Sequence, residues 1–180
     1  MKMHSIPVFV ALALLLSTGQ CLRAQTLDND GCSDATLKGD YAFTVYGQIL
    51  NIDGTMTTRT GIAMTHFDGW GGLKQIDYVS ALTPGHNPPG GVDLAPVFRQ
   101  DETGTYHVNA DCTGTAEIDF PKPPGGTSGA VIKLIFVLAD YGREIHTVVT
   151  SLTPPNVELP VPVSIHSDGK KLHPVISDTQ

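Results

Sequence analysis

Ala130-Val-Ile-Lys-Leu-Ile-Phe-Val-Leu-Ala139 is the stretch that decides how this chain folds. Its branched and aromatic side chains favour extended backbone, and Lys133 is its one charge. Both alternating faces are otherwise apolar. A strand with one solvated face needs apolar residues on every second position only. The stretch therefore reads either as a central strand covered on both sides or as one whose inner face lines an apolar interior.

Working toward the C-terminus, Asp140-Tyr-Gly-Arg143 is a turn into a second strand, Glu144 to Leu152, which Pro154-Pro155-Asn156 ends. A weaker strand near Val161 to Ile165 precedes a charged turn, and 168–180 reads as a flexible tail. Toward the N-terminus, Tyr41-Ala-Phe-Thr-Val45 is a first core strand leading to the turn Asn51-Ile-Asp-Gly54. Thr55 to Phe67 and Leu73 to Val79 form a hairpin about Asp68-Gly-Trp-Gly-Gly72. Thr105 to Asn109 and Thr115 to Phe120 form another about Ala110-Asp-Cys-Thr-Gly114. In both turns an Asp-x-x-Gly pattern supplies a carboxylate that caps backbone amides and a glycine free to turn left-handed. Residues 80–96 hold four prolines among several glycines and read as a long loop, followed by a short strand near Val97-Phe98.

About eight short strands with almost no helical periodicity predict an all-β fold. The expected architecture is an antiparallel meander closed into a small barrel, with a β-sandwich as the alternative.

The ends assign a compartment. Lys2 precedes an uncharged apolar run from Ile6 to Leu16, and small and polar residues follow down to Ala24. This is the layout of a cleaved signal peptide, 1–24, with the cut after Ala24. The apolar run is short of the roughly 20 residues a membrane span needs. The competing reading, a lipoprotein anchored through Cys21, lacks the small residue before the cysteine, where Gln20 stands. The remaining chain divides into an entry segment, 25–40, the β domain, 41–167, and the tail. At about 155 residues it suits one domain. Secretion or periplasmic residence then leaves an even pair of cysteines, Cys32 and Cys112, expected to form one disulfide.

Removing the leader takes away Lys2 and Arg23, so 9 basic residues face 18 acidic ones and the formal charge moves from −7 to −9. An acidic surface of this kind repels phosphate backbones and anionic membranes, so neither nucleic acid nor a membrane is an expected partner.

Three stretches carry a resemblance: Cys32-Ser33-x3-Leu37-x-Gly39-x-Tyr41-x-Phe43, then Gly104-Thr-Tyr106-x-Val-Asn109-x-Asp111-Cys112-Thr-Gly-Thr115, then Phe136-Val-Leu-x-Asp140-x-Gly142-Arg-Glu-Ile145. Together they resemble a group of small exported bacterial proteins of unassigned role. The resemblance implies a β-rich domain with the same two cysteines paired, and no activity. In layout alone the chain is similar to the eight-stranded barrels of allene oxide cyclases and dirigent proteins, a likeness of architecture that does not license function.

Candidate sites are few. The histidines beyond the leader, His66, His86, His107, His146, His166 and His173, include no His-x-His pair, and the two cysteines are better oxidised than metallated, so no metal and no cofactor is expected. Asp28-Asn-Asp30-Gly31 opens like a calcium loop, but an EF-hand has its glycine sixth and a Glu twelfth, where Gly39 stands here. No nucleophile elbow, phosphate loop or dinucleotide fingerprint occurs. Glu144 and His146 share a strand face; lining a lumen they would make an acid–base pair for proton transfer, and outside they are ordinary surface residues. Leu134 and Phe136 are the candidate ligand contacts on the apolar strand. Trp70, in its glycine-rich turn, is either a contact for a partner or a ring folded back over the barrel end.

The resulting expectation is an exported non-catalytic β module that binds a small apolar ligand or a protein partner, with the 80–96 loop as its rim. The alternatives are a cyclase- or isomerase-type barrel enzyme using Glu144 and His146, and a structural envelope-associated module.

Overall fold

A computed structural model describes residues 31–51, 53–82 and 98–173. The signal peptide and its cut after Ala24, the calcium-like Asp28-Asn-Asp30, His86 and nearly all of the 80–96 loop lie outside the described residues.

Eight antiparallel strands follow one another in chain order and close on themselves: β1 Gly39–Leu50, β2 Met56–Phe67, β3 Gly72–Leu82, β4 Arg99–Val108, β5 Thr113–Asp119, β6 Val131–Ala139, β7 Glu144–Thr153 and β8 Val163–Lys171. β1 pairs with both β2 and β8, which makes the sheet a barrel and excludes the sandwich. Closure leaves no strand at the edge of the sheet.

The alternation of the sequence becomes an inside and an outside. On β6, Ile132, Leu134 and Phe136 line the interior, while Ile135 and Val137 stand exposed on the outer surface beside Lys133. The stretch 130–139 thus lines an apolar interior and is not covered on both sides. Phe136 is paired with Gly114 of β5, where an added Cβ would lie 2.2 Å from the Phe136 ring; the missing side chain is what lets the ring lie across that strand.

Among the described residues one end is closed and the other open. At the closed end Tyr41, Phe67 and Tyr106 stack edge to face at 5.3 and 5.0 Å, with Leu37 buried beside them. The Tyr41 hydroxyl donates to the carbonyl of Gly142. The Tyr106 hydroxyl donates to the Asp34 carbonyl at 3.0 Å and accepts from the Gly69 amide at 2.9 Å. Two tyrosines thereby fasten the single-turn helices Asp34–Leu37 and Asp140–Gly142 and the 68–71 turn across the barrel floor. The Cys32–Cys112 disulfide joins the entry segment to the β4–β5 turn at this same end. Both Asp-x-x-Gly turns use their carboxylates as expected, Asp68 accepting from the Trp70 and Gly72 amides and Asp111 from the Thr113 amide, but of the two glycines that end the pattern only Gly71 is left-handed; in the second turn Cys112 takes that conformation and Gly114 does not.

The final strand is longer than its sequence suggests. Ser167-Asp-Gly-Lys-Lys171 reads as a turn and tail, yet β8 continues to Lys171, paired to β1 and β7. Gly169 faces inward against the Phe43 ring and Ile145, so the absence of a side chain serves packing and makes no turn.

Candidate functional site

The barrel encloses a cavity of about 1070 Å³, at the upper end of the range typical of ligand sites. Its rim is formed at the open end by the β1–β2 turn (Asn51, Asp53), the β5–β6 loop (Pro121, Pro123) and the β7–β8 loop (Pro154, Pro155).

The lumen has two unlike walls. Strands β5 to β8 and β1 present an apolar wall that includes Phe43, Ile118, Leu134, Phe136 and Ile145. Strands β2 to β4 present a polar one. There Thr65 donates to the Gln75 side-chain oxygen at 2.8 Å, and the Gln75 amide donates to Glu102 at 2.8 Å. Arg99 donates to both oxygens of Asp77, from Nε at 2.6 Å and Nη2 at 2.5 Å, and its Nε lies 3.6 Å from Glu102 Oε1. Arg59, two residues nearer the mouth than Gly61 on the same face of β2, also lines the lumen.

A bulge builds this polar wall. Gln75 is paired with Glu102 but Asp77 with Arg99, so the register shifts between them. Asp101 takes a left-handed backbone conformation at φ 65°. In an unbroken strand residues 99 and 102 would face opposite sides; the extra residue brings both to the polar wall.

Burial sets the charges. Glu102 has no solvent exposure, and its carboxyl is pushed up to about 8, first by that burial and then by the neighbouring Asp77 carboxylate, against which the Gln75 hydrogen bond and the Arg99 charge act only in part. Glu102 Oε1 has no hydrogen-bond partner. The Arg59 guanidinium is lowered from its ordinary range by burial and by the Arg99 charge, and its Nε is buried without a partner. On the closed end, burial and then Tyr106 push the Tyr41 hydroxyl up to about 12.

The residues singled out from sequence separate. Leu134 and Phe136 line the lumen as expected. Glu144 and His146 do not: Ile145 and Thr147 take the inward positions of β7, so Glu144 pairs with Lys170 at 3.1 Å and His146 with Asp168 at 2.6 Å on the outer surface. A lumenal acid–base pair made of those two residues is thereby excluded. Trp70 is 86% exposed at the closed end, away from the mouth, and its ring does not fold back over the floor. Left-handed glycines on either side, Gly69 and Gly71, and the Asp68 cap hold the turn that presents it.

Arg59, Asp77, Arg99 and Glu102 escaped the sequence reading. A weak signal existed in Leu73-x-Gln75-x-Asp77-x-Val79, where polar residues share a parity with apolar ones, but Ile76 and Tyr78 made the other face look equally inward. Among the described residues no cluster of three or more His, Cys, Asp or Glu is arranged to hold a metal, and no helix is long and apolar enough to cross a membrane. No family model, curated protein or solved structure matches the chain.

Proposed function

We propose that this protein is an exported, non-catalytic binding module that takes a small, largely apolar molecule into the lumen of its barrel. The observation that carries the reading is the cavity of about 1070 Å³ with an apolar wall of Phe43, Ile118, Leu134, Phe136 and Ile145 and an open rim. An interior meant only for support is filled by side chains in a barrel of eight strands. The inside-apolar arrangement is also the reverse of lipid-spanning barrels, whose apolar band faces outward. Here the outer face carries ion pairs such as Lys133–Glu117 and Lys170–Glu144. The disulfide supports an oxidising compartment, in keeping with the leader. Kinship with small exported bacterial proteins belongs to the same proposal, and two of its three motifs contain the paired cysteines.

The test is a neutral probe that fluoresces in dry cavities, N-phenyl-1-naphthylamine. It should bind saturably to the native protein, Leu134→Asp should abolish binding, and Glu144→Gln should leave it unchanged. Absence of saturable binding by the folded protein would reject the reading.

A further inference from the structure

The lumen is not uniformly apolar, and one of its charged groups keeps an unused donor. Of the charged groups lining the cavity, Arg99 and Asp77 neutralise each other through two short contacts. At the rim, the exposed Asp53 accepts from the Thr55 amide at 2.9 Å and the Thr55 hydroxyl at 2.6 Å. Arg59 remains. Its Nε is buried with nothing to donate to. A half-buried guanidinium whose Nε is out of reach of solvent and unused is a site for an anion, because a carboxylate or similar oxyanion accepts from the fork in two places at once.

The position of Arg59 decides what else the anion carries. Phe43 is paired with Ala63, four residues below Arg59 on the same face, about 13 Å farther along the strand at 3.3 Å per residue. Between them the opposite wall is mostly apolar, its Thr147 and Ser167 hydroxyls being bonded to each other at 2.6 Å. We propose that the lumen takes an apolar molecule bearing one anionic group, most simply a carboxylate ending an alkyl chain, with that group paired to Arg59 and the chain running down toward Phe43 and Phe136. This rests on the lumen being a binding site at all, and adds the class of ligand. The protonated state of Glu102 near neutral pH supports it, since a second carboxylate in the wall would otherwise offset the guanidinium.

Displacement of N-phenyl-1-naphthylamine tests it. Decanoate should displace the bound probe from the native protein at about tenfold lower concentration than decanol, the scale of one charge-assisted contact over a neutral one. Arg59→Gln should bring the two competitors together while the probe still binds, and Arg59→Lys, which keeps the charge, should restore part of the preference. If the probe binds and decanoate competes no better than decanol, or if Arg59→Gln keeps the preference, the assignment of the anion site is wrong although the cavity still binds. If the probe does not bind the folded protein, the lumen is no binding site and both readings fall.

Discussion

Arg99 grips Asp77 from the next strand through two parallel contacts, Nε to Oδ1 and Nη2 to Oδ2, and so partners a carboxylate that is only 4% exposed. Removing one member of a buried pair strands the other, at about 3–5 kcal/mol when both are buried. Arg99 is half exposed, which lets water replace part of the loss. Arg99→Gln should therefore destabilise by about 2 kcal/mol in urea unfolding. Adding Asp77→Asn should recover most of it; a double variant as unstable as the sum of the two single changes would show that the pair is not coupled.

Glu102 gives the protein a pH dependence of known sign. Its carboxyl holds a proton up to about 8 in the fold, against an ordinary value of 4.5. Between those values the native state binds more protons than the unfolded chain, so this group makes stability fall as pH rises, and the fall levels off above about 8. Glu102→Gln cannot ionise. Its melting temperature relative to the native protein should climb steadily from pH 5 to pH 8; parallel curves would mean that Glu102 is ionised throughout.

The disulfide closes a loop across 80 positions of sequence. The loop-closure model gives a loss on the order of 4.5 kcal/mol for Cys32→Ser with Cys112→Ser, or roughly 10–15 °C of melting temperature for a domain of this size. Calorimetry of the double variant measures it, and a shift of only a degree or two would place the stabilisation elsewhere in the floor.

Tyr41→Phe removes the hydroxyl that reaches Gly142 and leaves a buried carbonyl without its donor. The expected cost is about 1–3 kcal/mol, with no change in probe binding, because the contact lies in the floor and outside the cavity. Equal loss of stability and of probe binding would show that the floor and the lumen act as one unit.

Trp70→Ala should be almost silent in stability, within about 0.5 kcal/mol, since the ring is 86% exposed and its turn is held by Asp68 and glycines. A loss several times larger would mean that the ring packs after all.

Much of the barrel is legible in the sequence alone. Strand content, the antiparallel meander, the turns built on Asp68 and Asp111, and the pairing of Cys32 with Cys112 follow from period-two alternation, turn chemistry and an even cysteine count, all of which act between near neighbours or on the whole chain at once. Leu134 and Phe136 were legible as lumenal candidates for the same reason: their strand has too many apolar residues for one wet face.

The site was a different matter. On β7, alternation separated Glu144 and His146 from Ile145 and Thr147 but left open which set faced inward; only closure of the sheet, which buries Ile145 against Gly169 and Phe43, sent the first pair outside. On β4, Arg99 and Glu102 stand at opposite parities, and no local pattern would bring them to one wall. The bulge at Asp101 does so, through a break in register between β4 and β3 beyond the end of the β4–β5 ladder. Local sequence determined which residues alternate. Which alternate set became the inside, and where a break in register gathered its charges, was decided by the requirement that eight strands close into one ring.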